Sequence, residues 1–211
     1  MQPANTLRPP AGLLDRLFGK KVADAGDSRV PRHRMRKIEG SSAADRAAVM
    51  LTAPTALMQL SHEEARRVVA YMKPHRISEG TTFIREGDRD QTDFMLLVLD
   101  GEVTVETIVV SRTQPITVTV LGSGALIGEM GLLDGSPRSA SCTAMSELRC
   151  AILTRDAMNL LLNDDPRTAA KLMMAISMRI AQRLRENQDK LKLYAQLTQA
   201  MNEEINALMP L

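Results

Sequence analysis

The chain has 211 residues, with 27 lysines and arginines against 25 aspartates and glutamates and a formal net charge of +2. That length suits one domain with extensions, or two small ones. A charge this close to balance argues neither for a nucleic-acid coat nor for an acidic substrate. No apolar run is long enough to span a bilayer, and the polar, proline-bearing start MQPANTLRPP is not a secretory signal, so a cytoplasmic protein is expected. The two cysteines, Cys142 and Cys150, match no metal-ligand spacing and read as buried thiols in strands of a protein kept reduced. With two tyrosines, three phenylalanines, no tryptophan and 14 methionines, the core is expected to consist of Leu, Val, Ile and Met.

Residues 1–43 read as a flexible basic arm. Pro3, Pro9, Pro10 and Gly12 discourage regular structure, and residues 13–18 could form one or two amphipathic turns. A run follows with Arg29, Arg32, Arg34, Arg36 and Lys37, interrupted by Pro31 and His33. It reads as a solvated linker, with a docking arm for an acidic partner, nucleic acid or anionic membrane as the alternative; no aromatic stacking platform accompanies the charge.

Residues 44–165 read as the main domain. The segment AADRAAVMLTA is rich in strong helix formers and ends at Pro54. Ser61-His62-Glu63-Glu64 has the form of a capping box, and the helix it opens carries Ala65, Val68, Val69 and Met72 on one face and stops before Pro74. His62 and His75 have no partner at metal-ligand spacing and are expected on the surface. From His75 to Thr154 the pattern becomes strands parted by Gly80, Gly87, Gly101, Gly122 and Gly124. FMLLVLD is continuously apolar, as a strand covered on both sides would be, while Val103, Val105 and Ile108 partly alternate. Many short strands at this spacing predict a jelly-roll-like barrel. The loop VVSRTQP reads as a hairpin tip, and Arg112 in it has no assigned role. Asp156 is expected to cap a short helix, AMNLLLN.

Residues 166–211 read as one long helix. Pro166 suits a first helical position, and neither Gly nor Pro recurs before Met209. At 1.5 Å per residue such a helix reaches roughly 65 Å, more than one domain needs. Ala170, Ser177, Leu184, Leu191, Thr198 and Ile205 fall at one heptad position, and Met173, Ile180, Asn187, Tyr194, Met201 and Leu208 at its partner. Charged flanks complete a two-stranded coiled-coil pattern, with Asn187 as the polar seam residue that fixes register in parallel pairs. A homodimer is expected.

The stretch IGEMGLLDGSPRSASC, residues 127–142, organises the rest. Gly128 lets backbone approach a ligand closely. Residues 129–133 suit one helical turn, whose outward N–H groups attract phosphate. Arg138 adds a planar cationic fork for two phosphate oxygens, and Ser139 a hydroxyl beside it. The Glu129 carboxylate accepts from sugar hydroxyls instead. An acceptor for ribose and a cation for phosphate, on either side of a small turn, describe a nucleotide monophosphate pocket.

This stretch closely resembles the phosphate-binding cassette of the cyclic nucleotide-binding domain family, which reads Gly-Glu-x-x-Leu, a few residues, then Arg-(Ser/Ala/Thr)-Ala. The turns at residues 86–88 and 99–102 also resemble that family's β-roll, so the likeness covers about residues 57–191. It implies an α+β fold: a jelly-roll-like β-roll flanked by N-terminal helices and a long C-terminal dimerisation helix. It further implies that Glu129 holds the ribose 2′-hydroxyl and Arg138 the cyclic phosphate, with Gly128, Met130, Ser139 and Ala140 contributing contacts. In pattern the chain is most similar to the bacterial catabolite activator (Crp/Fnr-like) regulators, whose dimer helix presents Thr and Ser to the purine. Asn187 and Gln188 stand there instead, and an amide can face adenine or guanine by turning over. The implied ligand is cAMP, with cGMP as the alternative, and no metal.

That bacterial family reads DNA with a helix-turn-helix placed after the dimer helix. The sequence reaches Leu211 without one, so sequence-specific DNA binding is not expected. P-loop, nucleophile elbow, kinase and metal-cluster signatures are lacking, and no enzymatic role is expected. The leading expectation is a homodimeric cyclic nucleotide sensor acting on a downstream protein. The alternatives are a stripped transcription regulator, binding DNA through its basic arm or a longer partner subunit, and a structural dimer with a vestigial pocket.

Overall fold

A computed structural model describes residues 31–53, 60–107 and 116–208. The expectations for residues 1–30, Pro54, residues 57–59, Ile108, the VVSRTQP loop with Arg112, and Met209 lie outside the described residues. The chain divides into two units, Met1–Ala175 and Ile176–Leu211.

In the first unit, helices α1 (Arg32–Arg36), α2 (Ser42–Leu51) and α3 (His62–Val69) precede the strands. Helix α2 buries Ala44, Ala47, Ala48 and Leu51, one stripe at helical spacing. Ser41 caps it by accepting from the Ala44 N–H. The expected capping box opens α3: Ser61 Oγ accepts from Glu64 N at 3.2 Å and Glu64 Oε2 accepts from Ser61 N at 2.9 Å. His62 and His75 are exposed, as expected. Within the stretch read as a basic arm, Arg34 lies over the Tyr71 ring, 4.5 Å from its centroid, and near Asp164. Tyr71 Oη donates to Asp164 at 2.7 Å, so α1 is tied to the far end of the domain.

Eight strands follow: β1 (Lys73–Ile77), β2 (Thr82–Ile84), β3 (Phe94–Asp100), β4 (Val103–Thr107), β5 (Ile116–Leu121), β6 (Leu126–Ile127), β7 (Ser141–Ala144) and β8 (Leu148–Thr154). They form two four-stranded antiparallel sheets, ordered β1-β8-β3-β6 and β2-β7-β4-β5. The roll expected from the glycine-punctuated strands is therefore present. Between the sheets lie Ile77, Ile84, Leu96, Val98, Val103, Ile127, Leu148 and both cysteines. Burial pushes the Cys150 thiol up to about 11, as befits a small core residue. Strand β3 is covered on both faces: Leu96 and Val98 point into the roll, while Met95 and Leu97 are also fully buried and α2 packs on the strand. Its unbroken apolar run has that cause.

Helix α4 (Glu129–Asp134) interrupts the strands, and α5 (Arg155–Asp164) follows β8. The cap of α5 is a correction to the sequence reading. Thr154, not Asp156, accepts from the Ala157 N–H, and Asp156 lies in the first turn. Both residues are good caps; β8 runs through Thr154 in extended conformation, so the chain turns there. Helix α6 (Pro166–Leu208) starts at the proline, and the buried Asp165 before it accepts from the Thr168 N–H and hydroxyl and from Arg67.

The second unit is the remainder of α6. Its side chains at Leu184, Leu191, Leu193, Tyr194, Leu197, Met201 and Ile205 are exposed, as are Asn187 and Gln188. Among the described residues no helix is long and apolar enough to cross a membrane.

Candidate functional site

The site is built where β6 runs into α4. Gly128 joins them at φ +84°, a left-handed conformation that favours glycine. A Cβ there would stand 2.7 Å from Arg138 Nη1 and 3.0 Å from the Phe94 carbonyl, so close approach requires glycine as well. Glu129 begins the single helical turn expected from the sequence, and its side chain is 2% exposed. A carboxylate at a helix start is favoured by the partial positive charge there.

Arg138 lies on the strand-like return after α4. Its backbone pairs with the glycine turn before it: Arg138 N donates to Asp88 O at 2.9 Å and Gly87 N donates to Arg138 O at 2.8 Å. The side chain is 5% exposed and ends in the interior. Nε donates to Gln91 O at 2.9 Å, Nη1 to Gly128 O at 2.9 Å and Nη2 to Phe94 O at 3.0 Å. The guanidinium also stacks on the Phe94 ring, 4.5 Å from its centroid. Burial lowers the Arg138 pKa, opposed by the charges of Asp93, Asp88 and Glu129 among others. The site thus holds a cation whose partners are mostly neutral carbonyls, in surroundings that strengthen its pull on an anion.

The sequence-predicted residues divide into two groups. Gly128, Glu129, Met130, Arg138, Ser139 and Ala140 fall in one cassette; Glu129 and Arg138 are buried, Ala140 is half-buried, and Met130 and Ser139 are exposed. Asn187 and Gln188 belong to the second unit. Sequence reasoning missed Phe94 and the carbonyls of Gln91 and Phe94. It also missed Arg155, whose Nη2 donates to Gly131 O at 2.8 Å. One signal for Arg155 was available: a cation at the first position of a helix opposes the helix dipole, and such a residue implies an acceptor elsewhere. Among the described residues no group of three or more metal-ligating side chains comes together.

A family model, the cyclic nucleotide-binding domain, matches residues 74–165. The "Cyclic AMP receptor protein" of Thermus thermophilus is 31% identical over 156 residues, which cover 72% of this chain and 67% of that protein. The "CRP-like cAMP-activated global transcriptional regulator" of Mycobacterium tuberculosis is 25% identical over 109 residues, 52% of this chain; the match spans only 47% of that regulator. Among solved structures, a cyclic nucleotide-binding domain from Methylobacillus flagellatus superposes with a TM-score of 0.62 at 30% identity, covering 72% of this chain and 83% of that one. With its two antiparallel sheets, its cassette and these relatives, the chain belongs to the cyclic nucleotide-binding domain family and resembles the Crp-like regulators within it.

Proposed function

We propose that this protein is a sensor of cyclic nucleotide, taking cAMP in preference to cGMP, that dimerises through α6 and passes occupancy to a protein partner. The observation that carries the reading is the buried pair Glu129 and Arg138 on one cassette. A cyclic phosphate offers Arg138 charged oxygens in place of neutral carbonyls, which strengthens its hydrogen bonds roughly twofold and offsets the desolvation of the cation. Glu129 accepts from the ribose hydroxyl. The preference for cAMP rests on the Thermus thermophilus relative, whose name gives that ligand. Gly128, Met130, Ser139 and Ala140 complete the cassette's contacts. Ligand then favours whichever arrangement of the chain holds it better, a population shift that needs differential affinity between states.

Calorimetric titration of the full chain with cAMP and cGMP tests this. Saturable binding of one cAMP per chain, weaker for cGMP and lost in Arg138→Ala, is the expected result. Absence of heat from both nucleotides would leave a structural dimer with a vestigial pocket. A second reading, a regulator acting on DNA, is favoured by the name of the Mycobacterium tuberculosis relative, which this chain matches over less than half its length. Sequence-selective retention in a gel shift at moderate salt would establish it over the first.

A further inference from the structure

A cavity of about 230 Å³ lies between α4, α5 and the beginning of α6. Leu132 of α4, Met158 and Leu162 of α5 and Met173 of α6 give it apolar walls, and Leu132 and Met158 are buried. Neither Glu129 nor Arg138 lines it, so it is separate from the proposed nucleotide pocket. Three polar side chains reach it with hydrogen-bonding capacity to spare. Thr92 is 7% exposed, and its hydroxyl has no partner among the described residues. The half-buried Asn159 amide has none there either.

Arg155, the third, makes one side-chain hydrogen bond among the described residues: Nη2 donates to Gly131 O at 2.8 Å. Its Nε is buried without a partner, and Nη1 lies against Gly135, where a Cβ would stand 3.4 Å from it. No described carboxylate pairs with this guanidinium. A half-buried cation with a single neutral acceptor is costly, and a counter-ion completes such a group. Arg155 also opens the ten-residue α5, where the partial positive charge of the helix start favours an anion as well. Asp134 limits the charge of that anion. It stands exposed on the lining, its carboxylate accepting from the Ser136 N–H at 2.8 Å, and a second negative group on a ligand would be repelled by it. Volume limits the size. An apolar cavity of about 150 Å³ accommodates benzene, so this one accommodates roughly nine non-hydrogen atoms.

We propose that this cavity binds a small apolar monocarboxylate. The carboxylate takes Arg155 Nη1, with Thr92 and Asn159 as further donors, and the apolar body packs among Leu132, Met158, Leu162 and Met173. The two methionines adapt to the shape of that body. This site is independent of the nucleotide reading of the cassette.

Heptanoate, which matches that size, is the probe. Calorimetric titration of the full chain should show one heptanoate per chain, saturating below about 1 mM. Methyl NMR spectra of the methionines should place it: the Met158 and Met173 signals move on titration, and that of the exposed Met130 in the cassette does not. 1-Heptanol, which lacks the charge, and heptanedioate, which doubles it, each bind at least about tenfold more weakly. Arg155→Met weakens heptanoate at least about tenfold through the loss of a charge-assisted hydrogen bond, and Arg155→Lys, which keeps a cation, recovers part of that. Leu162→Trp fills the cavity and abolishes binding. A titration that does not saturate overturns the site, as does equal affinity for the three probes or wild-type affinity in Arg155→Met. Shifts confined to Met201 would mark adsorption on the exposed length of α6 and overturn it too. Melting temperatures show which variants have folded; where Arg155→Met has not, the three probes and the methionine signals of the wild type decide.

Discussion

The cassette and the exposed length of α6 break the usual rule of burial in opposite directions. The cassette takes a carboxylate and a guanidinium out of water, Glu129 and Arg138, beside an apolar roll. The helix holds Leu184, Leu191, Tyr194, Met201 and Ile205 in water, on a body with no shortage of polar residues. Each arrangement is costly by itself and is stabilised by a complement of the missing kind: charge and hydroxyls for the first, another apolar stripe for the second. Under the proposed function, the contrast separates a part suited to a small polar molecule from a part suited to another protein surface. It also means that the two can be damaged independently.

The largest effect is expected in the helix. Leu184→Asp with Leu191→Asp should remove about 2 kcal/mol of burial for each leucine in each chain of the proposed dimer, and sedimentation should show a dimer for the wild type and a monomer for the variant. The cassette should still bind cAMP in that variant; loss of both properties would end the separation drawn above. Next comes Arg138→Ala, expected to weaken cAMP binding by about 3–5 kcal/mol, as for removal of one partner from a desolvated charge pair. Glu129→Ala should cost less, about 1.5–3 kcal/mol for one hydrogen bond to a charged group. Calorimetry that found equal losses would count against their different roles. Gly128→Ala forces a side chain into a left-handed position at about 1–2 kcal/mol, before its crowding of Arg138, and should lower the melting temperature of the roll while leaving the dimer intact.

The smallest effect concerns acid stability. The hydrogen bond from Lys171 holds the Glu64 carboxyl below its usual range. A depressed folded pKa contributes stability above the ordinary carboxylate value, and this is lost as pH falls through the folded one. Lys171→Met should therefore lower stability slightly at neutral pH, by under about 1 kcal/mol, and flatten its decline as pH falls through and below the ordinary carboxylate range. An identical acid slope in the variant would remove Glu64 from the account.

What the sequence disclosed here is what side chains announce. Ser61 and Glu64 stand at the spacing of a reciprocal cap, and the cap formed. Gly128, Glu129 and Arg138 stand at the spacing of a cassette, and they are brought together. The absence of Gly and Pro after Pro166 became a 43-residue helix. What stayed hidden depends on main-chain groups that every residue carries. Nothing in the letters marks the carbonyls of Gln91, Gly128 and Phe94 as the acceptors of Arg138. The choice between Thr154 and Asp156 as cap turned on where β8 stops being extended, a tertiary matter that two equally good capping residues could not decide. Arg34, read as one charge in a solvated run, owes its place to Tyr71 and Asp164, both remote in the chain.

The outer strands of the two sheets have a further consequence, for behaviour in concentrated solution. β1 borders one sheet with Pro74, which has no N–H to offer, and with exposed Lys73 and Arg76; β2 and β6, at three and two residues, are too short to template another strand. β5 borders the other sheet for six residues, ITVTVL, with Thr119 and Val120 both facing solvent. Unwanted ladder growth between rolls should therefore begin there, and a single lysine at Thr119 should suppress it without touching either the nucleotide cassette or the helix.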